Sequence, residues 1–129
     1  MVGSYLLSGE NAKIYYNKAL SIRDDMKKEF TKVFENYDLI IGPTTTTTAY
    51  NLTESMDDPR KSFMDDVLVI PVNMAGLPGL NIPVGFSKDN MPIGMHIVGN
   101  SFEEAKMYQL ASFIENKLSL ELNPTGGDK

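Results

Sequence analysis

Between positions 15 and 37, Tyr15, Ala19, Ile22, Met26, Phe30, Val33 and Tyr37 recur at steps of four, three, four, four, three and four. That spacing follows the helical period and not the period of two that a strand requires. It predicts a helix over roughly Asn11 to Asn36 with a single apolar stripe. The opposite side carries Asp24, Lys27, Lys28, Lys32 and Glu35. Asp24 stands four residues before Lys28, where a pair on a helix surface contributes about 0.3 kcal/mol. Ser8 or Asn11 is placed to cap the start. The stripe ends after about three heptads, which favours packing on a sheet over a coiled coil.

The residues after this helix supply strands. Leu39, Ile40 and Ile41 precede Gly42-Pro43, which reads as a short strand buried on both faces. Thr44 to Thr48 follow as an unbroken threonine run, which β-branching keeps extended. Asp57-Asp58-Pro59 is a turn or helix-start signal. Phe63, Met64, Val67, Leu68 and Val72 suggest a short helix, which Pro71 is expected to end or kink. Leu80, Ile82 and Val84 alternate, as do Ile93, Met95 and Ile97, and Ser87 to Asn90 supply turn chemistry between them. Pro83 lacks a donor, so its strand belongs at a sheet edge or carries a bulge there. Ser101 and Glu104 have the spacing of a capping box. Met107, Leu110, Ala111, Ile114 and Leu118 then mark the buried side of a last helix, and residues 123–129 form a polar tail. The order is helix, strand, helix, strand, strand, helix, an α/β unit with no internal repeat.

Composition closes off several chemistries. The chain has no cysteine, which excludes disulfides, thiolate catalysis and cysteine-ligated zinc, and agrees with a reducing, cytoplasmic setting. A single histidine leaves little for a multi-histidine metal site or a Ser-His-Asp triad. Seventeen acidic against twelve basic side chains, a net charge of −5, argue against direct nucleic-acid binding. The longest apolar run outside proline is Val67 to Ile70, far short of the roughly 20 residues a transmembrane helix needs. No signal-peptide pattern opens the sequence.

Three features remain as candidates for binding. The hydroxyls of Thr44, Thr45 and Thr46 sit after a strand, where open α/β sheets place ligands, although a solvated connecting loop reads the same way. Asp65-Asp66 lies at the edge of an apolar segment, so one carboxylate either reaches solvent or turns inward to hold a ligand amino group by a charge-assisted hydrogen bond. His96 lies on the opposite strand face from Ile93, Met95 and Ile97, and reads as a surface or packed residue, since acid–base work needs a partner and a pocket. Gly76-Leu-Pro-Gly79 is close-approach backbone and not a phosphate loop, because proline stands where donors are needed. None of the nine serines lies in a strained, glycine-rich nucleophile turn. No catalytic residue is expected in this chain.

The combined order of motifs resembles the amidase signature family. It is carried by Gly42-Pro43-Thr44-Thr45, Asp57-Asp58-Pro59, Ile70-Pro-Val-Asn-Met-Ala-Gly-Leu-Pro-Gly79, Ile82-Pro-Val-Gly85, Met91-Pro-Ile-Gly-Met-His-Ile-Val-Gly99 and Ser101-Phe-Glu-Glu104. Gly3-Ser-Tyr-Leu-Leu-Ser8 and Val33-Phe-Glu-Asn-Tyr-Asp38 add to it. Each motif alone is weak; their order is specific, and it is most similar to the family's tRNA-dependent amidotransferase branch. The resemblance implies that residues 1–122 are the C-terminal part of a mixed-sheet α/β/α domain. It also implies that the family's Ser-Ser-Lys catalytic segment and glycine-serine-rich oxyanion stretch have no counterpart here, so that this chain is inactive alone. The family's carboxylate for the α-amino group of glutamine falls at Asp66, Asp65 being read as exposed. The arginine that would hold the α-carboxylate precedes Met1 in the family. His96 stands where the family usually has Gln, and Val84 where Cys is frequent. The implied partners are the earlier part of the same polypeptide, the B and C subunits of the amidotransferase, and glutamine. ATP and Mg, and contact with tRNA, belong to a partner subunit. The competing readings are an amidase signature hydrolase of other amides and a non-catalytic α/β interaction domain.

Overall fold

In the computed structural model, residues 9, 12–50 and 64–121 are described. The element order is that expected from the sequence. Helix α1 spans Asn17–Phe34, strand β1 Leu39–Pro43, helix α2 Ile70–Ala75, strand β2 Gly79–Phe86, strand β3 Pro92–Gly99 and helix α3 Glu104–Leu118. The candidate turn at Asp57-Asp58-Pro59, the caps Ser8 and Asn11, Phe63 and the polar tail at 123–129 lie outside the described residues.

The three strands form one antiparallel sheet in the order β1-β3-β2. The β2–β3 hairpin turns at Ser87 to Asn90. The Ser87 hydroxyl accepts the amides of Asp89 and Met91, and Asn90 takes the left-handed conformation (φ 58°) that asparagine tolerates. Pro83 meets both conditions its missing donor imposes. It lies on the edge strand β2, and the register slips between Pro83 and Gly85, leaving Val84 as the bulged residue.

Cross-strand register sorts the side chains onto two faces. Leu80 opposes Ile97 and Ile82 opposes Met95, so the alternating residues of the hairpin do share a face. Helix α3 lies on it. Ile82, Ile97, Met107 and Ala111 form the buried core, joined at its margin by Leu39, Leu80, Val84, Met95, Leu110 and Ile114. Gly99 is what lets the helix come so close. A Cβ there would stand 2.7 Å from Met107 Sδ. Of the expected buried side of α3, only Leu118 is left exposed. The exposed Lys106 amine of α3 bridges Asp38 Oδ1 at 2.9 Å and Glu103 Oε1 at 3.1 Å, tying the helix start to the entry of β1.

Four expectations are corrected. First, β1 is not buried on both faces. Among the described residues it pairs with β3 alone, at the sheet edge, and Ile41 is 59% exposed. Second, the apolar stripe of α1 is not closed against the sheet. No residue of α1 is buried, and Ile22, Met26, Phe30 and Val33 instead face Ile40 across an open groove of about 480 Å3. The helix is preceded by a π-helical segment at Ala12–Tyr16. Its charges pair as Lys28–Asp25 (3.0 Å) and Lys32–Glu29 (2.6 Å), three residues apart, in place of Asp24–Lys28. Third, Pro71 does not end a helix; it stands in the first turn of α2, where its absent N–H costs nothing. Residues 64–66 make a separate helical turn before it. Gly76, left-handed at φ 70°, closes α2, and the Leu77 amide bonds the Val72 carbonyl. Fourth, Ser101 does not cap α3. Phe102 takes a left-handed turn (φ 64°), which moves the cap to Glu103 and carries Ser101 out of reach of the first helical amides.

Candidate functional site

The sheet face away from α3 carries the polar candidates. His96 opposes Asn81 on β2 and Gly42 on β1, and Val98 opposes Gly79 and Ile40. Glycines at 42, 79 and 94 keep this surface low around the polar side chains. Two of them are required by close neighbours. A Cβ on Gly79 would fall 2.7 Å from His96 Nε2, and one on Gly94 would fall 2.5 Å from Asn81 Oδ1 and 2.9 Å from Thr44 Oγ1.

The threonine run leaves β1 over this surface. The Thr44 amide continues the β1–β3 ladder by donating to the Gly94 carbonyl at 3.3 Å. Its hydroxyl donates to Asn81 Oδ1. The Thr45 hydroxyl turns back to the Thr47 carbonyl at 2.7 Å, the local bond that gives threonine its turn preference. The Thr46 hydroxyl reaches the Met64 carbonyl at 3.4 Å. The run is therefore not an isolated connecting loop. It is fastened to β3, to β2 and to the turn that carries Asp65 and Asp66.

Asp66 lies at the end of that turn with an exposed side chain, and its carbonyl accepts the Val69 amide at 3.0 Å. Asp65, expected to be the exposed member of the pair, is half-buried. His96 is half-buried as well, and burial pushes its imidazole below the ordinary value. Among the described residues no group of three or more histidine, aspartate or glutamate side chains is placed to hold a metal ion. Sequence reasoning does not single out Asn81. Nothing in a lone asparagine inside an alternating strand reports its cross-strand neighbour; only the register places it beside Thr44 and His96.

A sheet with helices on both sides, and a threonine loop fastened next to an acidic turn, define one portion of an α/β/α layered protein. The chain matches the Amidase family over residues 1–107 and belongs to it. It is 45% identical over 115 residues to the A subunit of glutamyl-tRNA(Gln) amidotransferase from Bacillus thuringiensis and, to the same degree, to that from Bacillus cytotoxicus. Those matches cover 89% of this chain and 24% of each relative, so the chain spans about a quarter of their length. Among solved structures, the A subunit of the Thermotoga maritima amidotransferase superposes with a TM-score of 0.77 at 36% identity, over 90% of this chain and 25% of that one. A 6-aminohexanoate cyclic dimer hydrolase shares the fold at a TM-score of 0.70 and 23% identity, over 88% of this chain and 25% of that one. The chain is thus an amidase signature protein similar to the A subunit of the glutamyl-tRNA(Gln) amidotransferase.

Proposed function

We propose that this chain forms part of the glutamine pocket in the A subunit of a tRNA-dependent amidotransferase. The observation that carries the proposal is its 45% identity to relatives of that name across nearly all of its length. In this reading the Asp66 carboxylate receives the α-amino group of glutamine in a charge-assisted hydrogen bond. Thr44, Thr45 and Thr46 form the neighbouring wall. A serine nucleophile from another part of the same protein attacks the glutamine amide carbon, ammonia leaves, and water releases glutamate. Oxyanion donors outside this chain stabilise the tetrahedral intermediate. A partner subunit, using ATP and Mg, activates Glu-tRNA(Gln) and takes up the ammonia. This chain supplies orientation and no bond-breaking group.

The test replaces the matching segment of the Bacillus thuringiensis protein with this chain and measures glutaminase kinetics. Asp66→Ala removes a charged hydrogen bond worth about 1.5–3 kcal/mol, so the KM for glutamine rises roughly ten- to a hundred-fold. Turnover of simple aliphatic amides, which have no α-amino group, stays unchanged. An unaltered glutamine KM, or an equal loss on both kinds of amide, excludes the assignment.

A further inference from the structure

We propose that Asn81 is a positioning residue: through Thr44 it fixes the threonine loop, and with it the turn that presents Asp66. The proposal rests on the glutamine-pocket reading for its functional consequence, but its geometry stands apart from it. Thr44 is the first residue beyond β1, and its backbone is held by one ladder bond, to Gly94. A single bond at the fraying end of an edge strand defines a loop poorly. The second fixing point is the hydroxyl bond from Thr44 to Asn81, which spans from the end of β1 across the central strand to β2. It passes over Gly94, where any side chain would strike Asn81 Oδ1 and Thr44 Oγ1 together. The sheet is therefore hollowed at the point where Thr44 and Asn81, from the two outer strands, meet above the middle one.

The third fixing point is Thr46, whose hydroxyl meets the Met64 carbonyl two residues before Asp66. That bond is long at 3.4 Å, and it holds the turn only as well as Thr46 itself is held. Releasing Asn81 leaves the loop on the ladder bond and lets residues 64–66 move with it. Displacement of a binding carboxylate appears as weaker substrate binding and not as slower chemistry.

Two measurements test this. In the full 129-residue chain, amide hydrogen exchange is followed at Thr44 and Val69, with Ile97 in the core as reference. Asn81→Ala and Thr44→Val are each expected to speed exchange at Thr44 and Val69 but not at Ile97. The double variant does no more than either alone, and Thr44→Ser, which keeps the hydroxyl, behaves as the parent. In the Bacillus chimera, Asn81→Ala raises the glutamine KM about five-fold with kcat unchanged, the size expected for one neutral hydrogen bond. Unchanged exchange at Thr44 and Val69, or additive single effects, overturns the proposal. Faster exchange with an unchanged KM, where Asp66→Ala does raise it, also overturns it and leaves the glutamine pocket standing. If neither variant moves the KM, the pocket reading falls and the positioning role falls with it.

Discussion

His96 shows how one residue's surroundings set its behaviour. Its ring fills the space above Gly79, and that burial lowers its proton affinity. The unfolded chain, with an imidazole pKa of about 6.5, then takes up the proton first as the pH falls. Stability from this group is complete above about pH 6.5, declines as the pH drops below that value, and levels off once the folded imidazole protonates too. His96→Gln has no such step. Urea midpoints at about pH 7.5 and about pH 5.5 are expected to differ more in the parent than in His96→Gln. Equal differences would show that the ring is fully hydrated. Asp38 does not confound this window. Its hydrogen bond from Lys106 lowers its pKa further, so its contribution is retained above the carboxylate range and is lost only in stronger acid.

At the scale of elements, the docking of α3 on the hairpin builds the buried core. It rests on two small contacts, Met107 on Gly99 and Ala111 on the same apolar face, with Leu110 and Ile114 at the margin. Met107 is 2% exposed, so truncation removes a buried side chain and leaves a void. Met107→Ala should destabilise the chain by about 2–5 kcal/mol in urea titration. A loss below about 1 kcal/mol would mean that α3 is not seated as described. Helix α1 is the contrast. Its link to α2 includes the Arg23 Nε bond to the Met74 carbonyl at 2.8 Å, but its own apolar stripe remains open.

At the scale of the whole molecule, the exposed apolar surface is the dominant fact. Tyr15, Ile22, Val33 and Tyr37 of the stripe are exposed, and so is Ile41 of β1. An open apolar groove beside a strand edge is a surface for association. The isolated chain is expected to bind an environment-sensitive apolar dye and to elute above the size of a monomer on gel filtration. A monodisperse, dye-silent monomer would contradict that. The relatives are about four times as long as the region matched here.

What is legible in the sequence is local. The helical stripe, the alternating hairpin, Pro83 at an edge and the apolar side of α3 follow from backbone period and side-chain chemistry within a few residues. The family follows from the order of short motifs, and the preference for Asp66 over Asp65 as a binding group comes from that resemblance. The structure decided what depends on distant partners. It put β1 at an edge, left the α1 stripe open, and moved the start of α3 past Ser101 through one left-handed residue. It also brought Asn81 beside Thr44, 37 positions apart, and Thr46 beside Met64. Period and propensity act between neighbours in the chain, whereas burial and cross-strand register are set only when separate segments meet.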